Sequence, residues 1–83
     1  MKYLIVIEKA GRNFSAFAPD LPGCVATGKT PAATRAAMRA AVALHIAGMR
    51  EDGLNVPRPS ARAAQVAPPP SRSGSSRRSR PAA

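Results

Sequence analysis

The sequence predicts a small α+β domain in which three short antiparallel strands precede one helix that packs on one face of the sheet. Three observations indicate this class. Two apolar runs flank a glycine-containing turn, a third short run follows a proline-rich loop, and a long alanine-rich stretch carries larger apolar residues at helical spacing. A weak fourth strand over Arg62–Ala67 would close the sheet, so the predicted order is βββα(β).

The first strands form a hairpin. Tyr3–Ile7 is a continuous run of β-branched and aliphatic residues, typical of a strand covered on both faces. The segment Ala10–Asn13 has turn chemistry, and Phe14–Ala18 is the second strand. The Pro-Asp-Leu-Pro-Gly loop at 19–23 then interrupts pairing, because each proline lacks an N–H donor. The third strand follows as Cys24–Thr27.

The helix has clear start and stop signals. Thr30 is a suitable N-cap and Pro31 suits the first helical position, so the helix is predicted from Pro31 to Asp52, ending at Gly53. One face is apolar, and Arg35 and Arg39 flank its edge with their charges in water. The residues of that face are Thr34, Met38, Ala41, Val42, His45, Ile46 and Met49.

Charge and proline are unevenly distributed along the 83 residues. Residues 1–56 carry a net charge of +3, whereas residues 57–83 carry +6 with no acid and hold six of the nine prolines. A segment with so little to bury does not offset its ordering entropy. We therefore expect a domain over residues 1–67 and a disordered Pro/Ser/Arg-rich tail over 68–83. This size excludes a multidomain enzyme, and a marginal core of this kind favours a dimer or tetramer.

Composition also restricts location and chemistry. The N-terminal apolar run is far shorter than the ~20 residues of a membrane span, so no membrane association is expected. The single cysteine excludes an internal disulfide, which predicts a reduced, cytoplasmic protein. The four acids are scattered, so a convergent metal-dependent nuclease site is not expected, and neither is a metal or cofactor.

Individual reactive side chains are better explained by structure than by catalysis. His45 lies on the apolar face with no orienting carboxylate nearby, which favours a half-buried ring. Cys24 has no neighbouring base and is interpreted as a small buried residue at a strand start. Asp20 has two interpretations: it contacts a partner, or it accepts hydrogen bonds from nearby backbone N–H groups and shapes the Pro-Gly turn.

Three stretches together resemble the HicB family of antitoxins. They are the Tyr3-led hairpin, the segment PDLPGCVATGKT at 19–30, and the helix exit GMREDGLNVPRPS at 48–60. The second is similar to the family signature PDLPGC…(S/T)xGxT, and the third to its E-D-G-x-x-(I/V)-P-x-P exit. The resemblance covers residues 1–67. It departs from the family where Ala32–Arg35 replaces the usual acidic pair, and nothing after residue 67 could form the DNA-binding domain of longer members.

The resemblance implies a βββαβ unit that is a partial ribonuclease-H-like fold without nuclease activity. Its members bind and block HicA, a small basic toxin that cleaves messenger RNA. The resemblance thus implies a non-enzymatic antitoxin that occludes a HicA-like toxin. The expected contacts are Asp20, Leu21 and Pro22 on the loop, and Glu51 and Asp52 at the helix exit.

The tail offers an alternative function. Its four arginines interspersed with serine are typical of segments that neutralise phosphates, which would make the chain an orphan HicB-like domain with nonspecific nucleic-acid binding. These residues are Arg72, Arg77, Arg78 and Arg80. Toxin affinity that survives deletion of 68–83 would favour the antitoxin; nucleic-acid affinity that vanishes with the tail would favour the alternative.

Overall fold

The structure, a computed structural model, describes residues 1–70. A three-stranded antiparallel sheet of order β1-β2-β3 is followed by one helix. The elements are β1 (Val6–Ala10), β2 (Asn13–Phe17), β3 (Val25–Gly28) and α1 (Pro31–Glu51). The predicted βββα order is confirmed.

The β1–β2 hairpin is built around a two-residue turn. Ala10 pairs with Asn13, and Gly11 in the turn has a φ of 62°, a left-handed conformation that glycine adopts without a steric penalty. The ladder extends only to Val6 opposite Phe17. The predicted first strand, Tyr3–Ile7, is therefore placed too early. The reason is that β2 ends before the prolines of the next loop and leaves residues 3–5 without a pairing partner.

The helix is capped as the sequence predicts. The Thr30 hydroxyl accepts a hydrogen bond of 3.0 Å from the Ala33 N–H, and Pro31 occupies the first turn. The last helical residue is Glu51, one earlier than predicted, and Asp52 is the C-cap. Within residues 1–70, no helix combines the length and apolar character needed to cross a membrane.

The core lies between the inner sheet face and α1. Ile7, Ala16 and Ala26 are neighbours in register on that face, and Ala16 is 2% exposed. Small residues there allow α1 to approach closely, and Met38 of α1 is fully buried against them. The buried apolar residues are Ala16, Ala18, Leu21, Cys24 and Met38. Thr34 is also fully buried, and its hydroxyl donates to the Thr30 carbonyl at 2.7 Å, so it is satisfied within its own helix.

The optional fourth strand is wrong. No strand follows α1 in the described residues, and Val66 at the centre of the predicted strand is 89% exposed. Hydrogen bonds from side chains, and not a β-ladder, hold the extended segment after the helix. The Tyr3 hydroxyl donates to the Pro57 carbonyl, and the Asp20 carboxylate accepts from the N–H groups of Ser60 and Ala61. An arginine- and alanine-rich stretch has too few β-branched residues to add a competing strand.

None of residues 1–70 covers the outer face of the sheet. Val6, Phe17 and Val25 are neighbours in register on it, with Phe17 39% and Val25 64% exposed. Such a row is consistent with the expected self-association, which stays a prediction.

Candidate functional site

The loop between β2 and β3 is a compact turn that points one side chain inward. The Leu21 N–H donates to the Ala18 carbonyl and the Cys24 N–H to the Leu21 carbonyl, both at 3.0 Å. Gly23, with a φ of 83°, reverses the chain. Leu21 is 1% exposed and belongs to the core, whereas Pro22 is exposed. Of these two predicted contact residues, only Pro22 has its side chain at the surface.

Asp20 on the same loop holds a segment forty residues away in sequence. One carboxylate oxygen accepts hydrogen bonds of 2.9 Å from the N–H groups of Ser60 and Ala61, and the other accepts from the Ser60 hydroxyl at 2.9 Å. These bonds, the one from the Ala61 N–H foremost, lower the pKa of the Asp20 carboxyl because they favour its charged form. The interpretation as a backbone acceptor is therefore correct in kind, but the donors lie at Ser60 and Ala61 and not in the Pro-Gly turn.

Replacing Asp20 with alanine is expected to release the extended segment. Amide hydrogen exchange at Ser60 and Ala61 should accelerate by about tenfold or more, because both N–H groups lose a charged acceptor. The lowered pKa fixes the pH dependence in wild type: the interaction contributes fully above the ordinary value of 3.8 and is lost as the pH falls through the lower folded value. Glu8→Ala, which removes an exposed carboxylate on β1, is the matched control. Unchanged exchange at both amides in Asp20→Ala would contradict the assignment.

The helix exit is a glycine-terminated cap that returns the chain onto α1. The Gly53 N–H donates to the Arg50 carbonyl at 3.1 Å and the Leu54 N–H to the Met49 carbonyl at 2.9 Å, the pair of bonds that defines a Schellman motif. Gly53 has the left-handed φ of 71° that this motif requires. The motif characteristically brings its last residue against the preceding turn, and Leu54 and Met49 do line one groove together.

That groove, here the helix-exit groove, is the candidate functional site. It is lined by Pro22, Leu44, His45, Gly48, Met49, Asp52 and Leu54. Two of these side chains are unusually open for large apolar residues: Leu44 is 76% and Leu54 56% exposed. The groove is therefore mainly apolar, with one carboxylate on its margin.

The structure brings together only part of the predicted contact set. Pro22 and Asp52, thirty residues apart in sequence, line the same groove, and Glu51 is exposed beside Asp52. Asp20 lies two residues before Pro22, but its oxygens are occupied by Ser60 and Ala61. Arg72, Arg77, Arg78 and Arg80 lie outside the described residues.

Leu44, Met49 and Leu54 line the helix-exit groove although their sequence positions were not predicted to form a site. Leu44 carried a usable signal, because it is a large apolar residue away from the apolar face of the helix. His45 is half-buried as predicted and lines the groove. Cys24 is buried, and burial raises the pKa of its thiol, in agreement with a structural role.

The chemistry of the groove is that of a binding surface. Over residues 1–70 no three His, Cys, Asp or Glu side chains are grouped so that they could hold a metal ion. An exposed apolar surface with a carboxylate margin matches a partner surface that is apolar and basic.

Comparison with known proteins gives three findings. Residues 3–74 match the sequence model described as the HicB_like antitoxin of bacterial toxin–antitoxin system. An uncharacterized 14.9 kDa protein of the rep-hol intergenic region of Haemophilus phage HP1 is 36% identical over 58 residues, which is 70% of this chain and 44% of the phage protein. A chain of a solved HicA3 and HicB3 toxin–antitoxin complex is 32% identical with a TM-score of 0.63, covering 71% of this chain and 70% of that one. The chain thus spans less than half the length of its phage relative.

Proposed function

The chain belongs to the HicB-like antitoxin family of bacterial toxin–antitoxin systems, and from this premise we propose that it binds a HicA-like, mRNA-cleaving toxin and occludes the toxin's active surface. The proposal assigns no chemistry to the chain itself: protection comes from covering the toxin. Because messenger RNA is the toxin's target, the proposal also places the complex in the cytoplasm.

The observation that carries the proposal is the exposed apolar surface of the helix-exit groove. Leu44 and Leu54 present large apolar side chains to water on a domain whose own core is small. Burial of such side chains by a partner supplies roughly 25 cal/mol per Å² of apolar surface removed from water. Leu44 and Leu54 are therefore the expected anchors, and Pro22 extends the surface onto the loop.

The distribution of charge also favours the helix-exit groove as the contact surface. The chain carries 13 Lys and Arg against 4 Asp and Glu, so most of its surface would repel a basic toxin. Two of the four acids, Glu51 and Asp52, stand together at the helix exit, and Asp52 lines the groove. The groove and its margin are thus the part of the described surface best suited to a basic partner.

The test takes a HicA-like toxin as the partner and measures its binding to this chain, together with inhibition of the toxin's mRNA cleavage. We expect Leu44→Glu to weaken binding by about 30-fold or more, because it replaces a central apolar anchor with a charge. The matched control is Val66→Glu, which places the same charge at an 89% exposed position outside the groove and should change affinity by less than about threefold.

Two further variants locate the interface. Val25→Glu alters the outer sheet face and should leave toxin affinity intact, so a loss there with none in Leu44→Glu would move the interface to the sheet and contradict the proposal. Reversing Glu51 and Asp52 to lysine should slow association mainly at low salt, since charges at the rim act on the encounter rate. A wild-type chain that neither binds the toxin nor slows mRNA cleavage would refute the antitoxin function itself.

A further inference from the structure

A second groove lies at the opposite end of α1. It is formed between the N-terminal segment before β1 and the first half of the helix, and its lining includes Lys2, Tyr3, Ile5, Arg35, Met38 and Arg39. Met38 lies fully buried beneath the groove, so the apolar floor is supplied by the half-buried Ile5 and Val42, whereas Lys2, Arg35 and Arg39 are exposed. This surface, here the N-terminal groove, has an apolar floor and cationic margins.

The described residues that line the N-terminal groove carry positive charge alone. No carboxylate is among them. The four acids of the chain lie elsewhere: Glu8 is on β1, Asp20 is on the β2–β3 loop, and residues 51 and 52 are at the C-terminal end of α1. Arg35 and Arg39 are four residues apart on α1 and therefore project from the same side of the helix, one turn apart. Lys2 reaches the groove from the other wall.

We propose that the N-terminal groove binds single-stranded nucleic acid. Lys2, Arg35 and Arg39 contact successive phosphates, while the nucleobases lie over the apolar floor of the groove and the ring of Tyr3. Grooves that bind single strands combine a cationic track for the backbone with apolar or aromatic surface for the bases. The position of Tyr3 is fixed, because its hydroxyl donates to the Pro57 carbonyl, so the ring meets a base without first being ordered.

A nucleic acid fits these observations better than an acidic peptide does. The excess of cations extends beyond the groove, with a net charge of +3 over residues 1–56 and +6 over residues 57–83, and a long polyanion can contact more of them than a short peptide can. Arg58 and Arg62, which are exposed on the segment after the helix, have the same sign as the groove and add to the attraction for a polyanion. A duplex is less suitable than a single strand, because its nucleobases are stacked and paired and cannot reach the apolar floor of the groove.

The experiment uses the full-length chain and fluorescence anisotropy with labelled oligo(U), oligo(dT), a duplex of equal length and a poly-glutamate peptide. We expect binding to both single strands, weaker binding to the duplex and still weaker binding to the peptide. In Arg35→Gln/Arg39→Gln the affinity for single strands should fall by about tenfold or more, and the magnitude of the slope of log K against log salt should decrease by about 1.4.

The matched control is Lys9→Gln/Arg12→Gln, which removes the same charge from the β1–β2 hairpin. Its affinity should change by less than about threefold, because the hairpin cations do not line the groove. Both double variants change exposed side chains, so circular dichroism should report unaltered folding. Equal losses in the two double variants would overturn the proposal in favour of nonspecific charge. A peptide that binds more tightly than the single strands, and loses affinity only in Arg35→Gln/Arg39→Gln, would overturn it in favour of an acidic protein partner.

Discussion

Replacing Met38 with alanine is expected to lower the free energy of unfolding by about 2–5 kcal/mol. Met38 is the largest fully buried apolar side chain of α1 and belongs to the core. Its removal costs both the transfer free energy of the lost atoms and the cavity they leave. Because a single core of this size supplies only about 3–5 kcal/mol in total, the variant should be largely unfolded at 37 °C. Urea denaturation followed by circular dichroism measures the change.

Two control variants identify the cause of that loss. Met38→Leu conserves volume and should cost less than about 1.5 kcal/mol. Leu44→Ala removes a comparable side chain that is 76% exposed on the same helix, and it should change the unfolding free energy by less than about 0.5 kcal/mol. A loss in Met38→Ala no greater than that in Leu44→Ala would mean that α1 does not pack on the sheet through Met38.

Gly28→Ala is expected to cost about 1–3 kcal/mol although it adds only one methyl group. A Cβ at this position would stand 2.7 Å from both the backbone nitrogen and the hydroxyl of Thr34, and 2.9 Å from its Cα. Two of these atoms are backbone, and the hydroxyl is held by its bond to the Thr30 carbonyl. The helix must therefore move away from β3, which loosens the contact at the end of the sheet.

The same substitution elsewhere should have the opposite sign. Gly48 lies within α1, and a Cβ there would meet no atom within 4 Å. Gly48→Ala should therefore stabilise the domain by about 0.5–1 kcal/mol, because alanine loses less backbone entropy in a helix. Thermal unfolding of the two variants beside wild type tests the pair, and a neutral Gly28→Ala would contradict the close approach of Thr34 to β3.

Local chemistry was sufficient to predict most of the fold. Thr30 and Pro31 start the helix and Gly53 ends it, because caps depend on a few adjacent residues. The first strand was predicted too early in the chain. The apolar run from Tyr3 to Ile7 indicates which residues are buried, whereas a strand also requires a neighbouring strand with which to pair. Tyr3 and Ile5 do pack against the core, but β2 ends before it reaches them.

The candidate site was less accessible to sequence reasoning. The loop motif and the two acids identified Pro22 and Asp52, which do meet at the helix-exit groove. The bonds from Ser60 and Ala61 to Asp20 could not be predicted, because a contact between an exposed loop and an extended segment leaves no periodic pattern. Leu21 was predicted as an exposed contact residue because it lies in a loop. The turn instead directs its side chain into the core.

The single cysteine allows opening of the domain core to be measured by thiol labelling. Cys24 is the only thiol in the chain, it is 3% exposed, and it lies in the core beside the loop that carries Pro22. A thiol reagent can therefore react only when the core opens around Cys24, so the labelling rate measures the population of open molecules without any engineered probe. The same rate, followed while a partner is added, distinguishes a ligand that closes the domain from one that opens it.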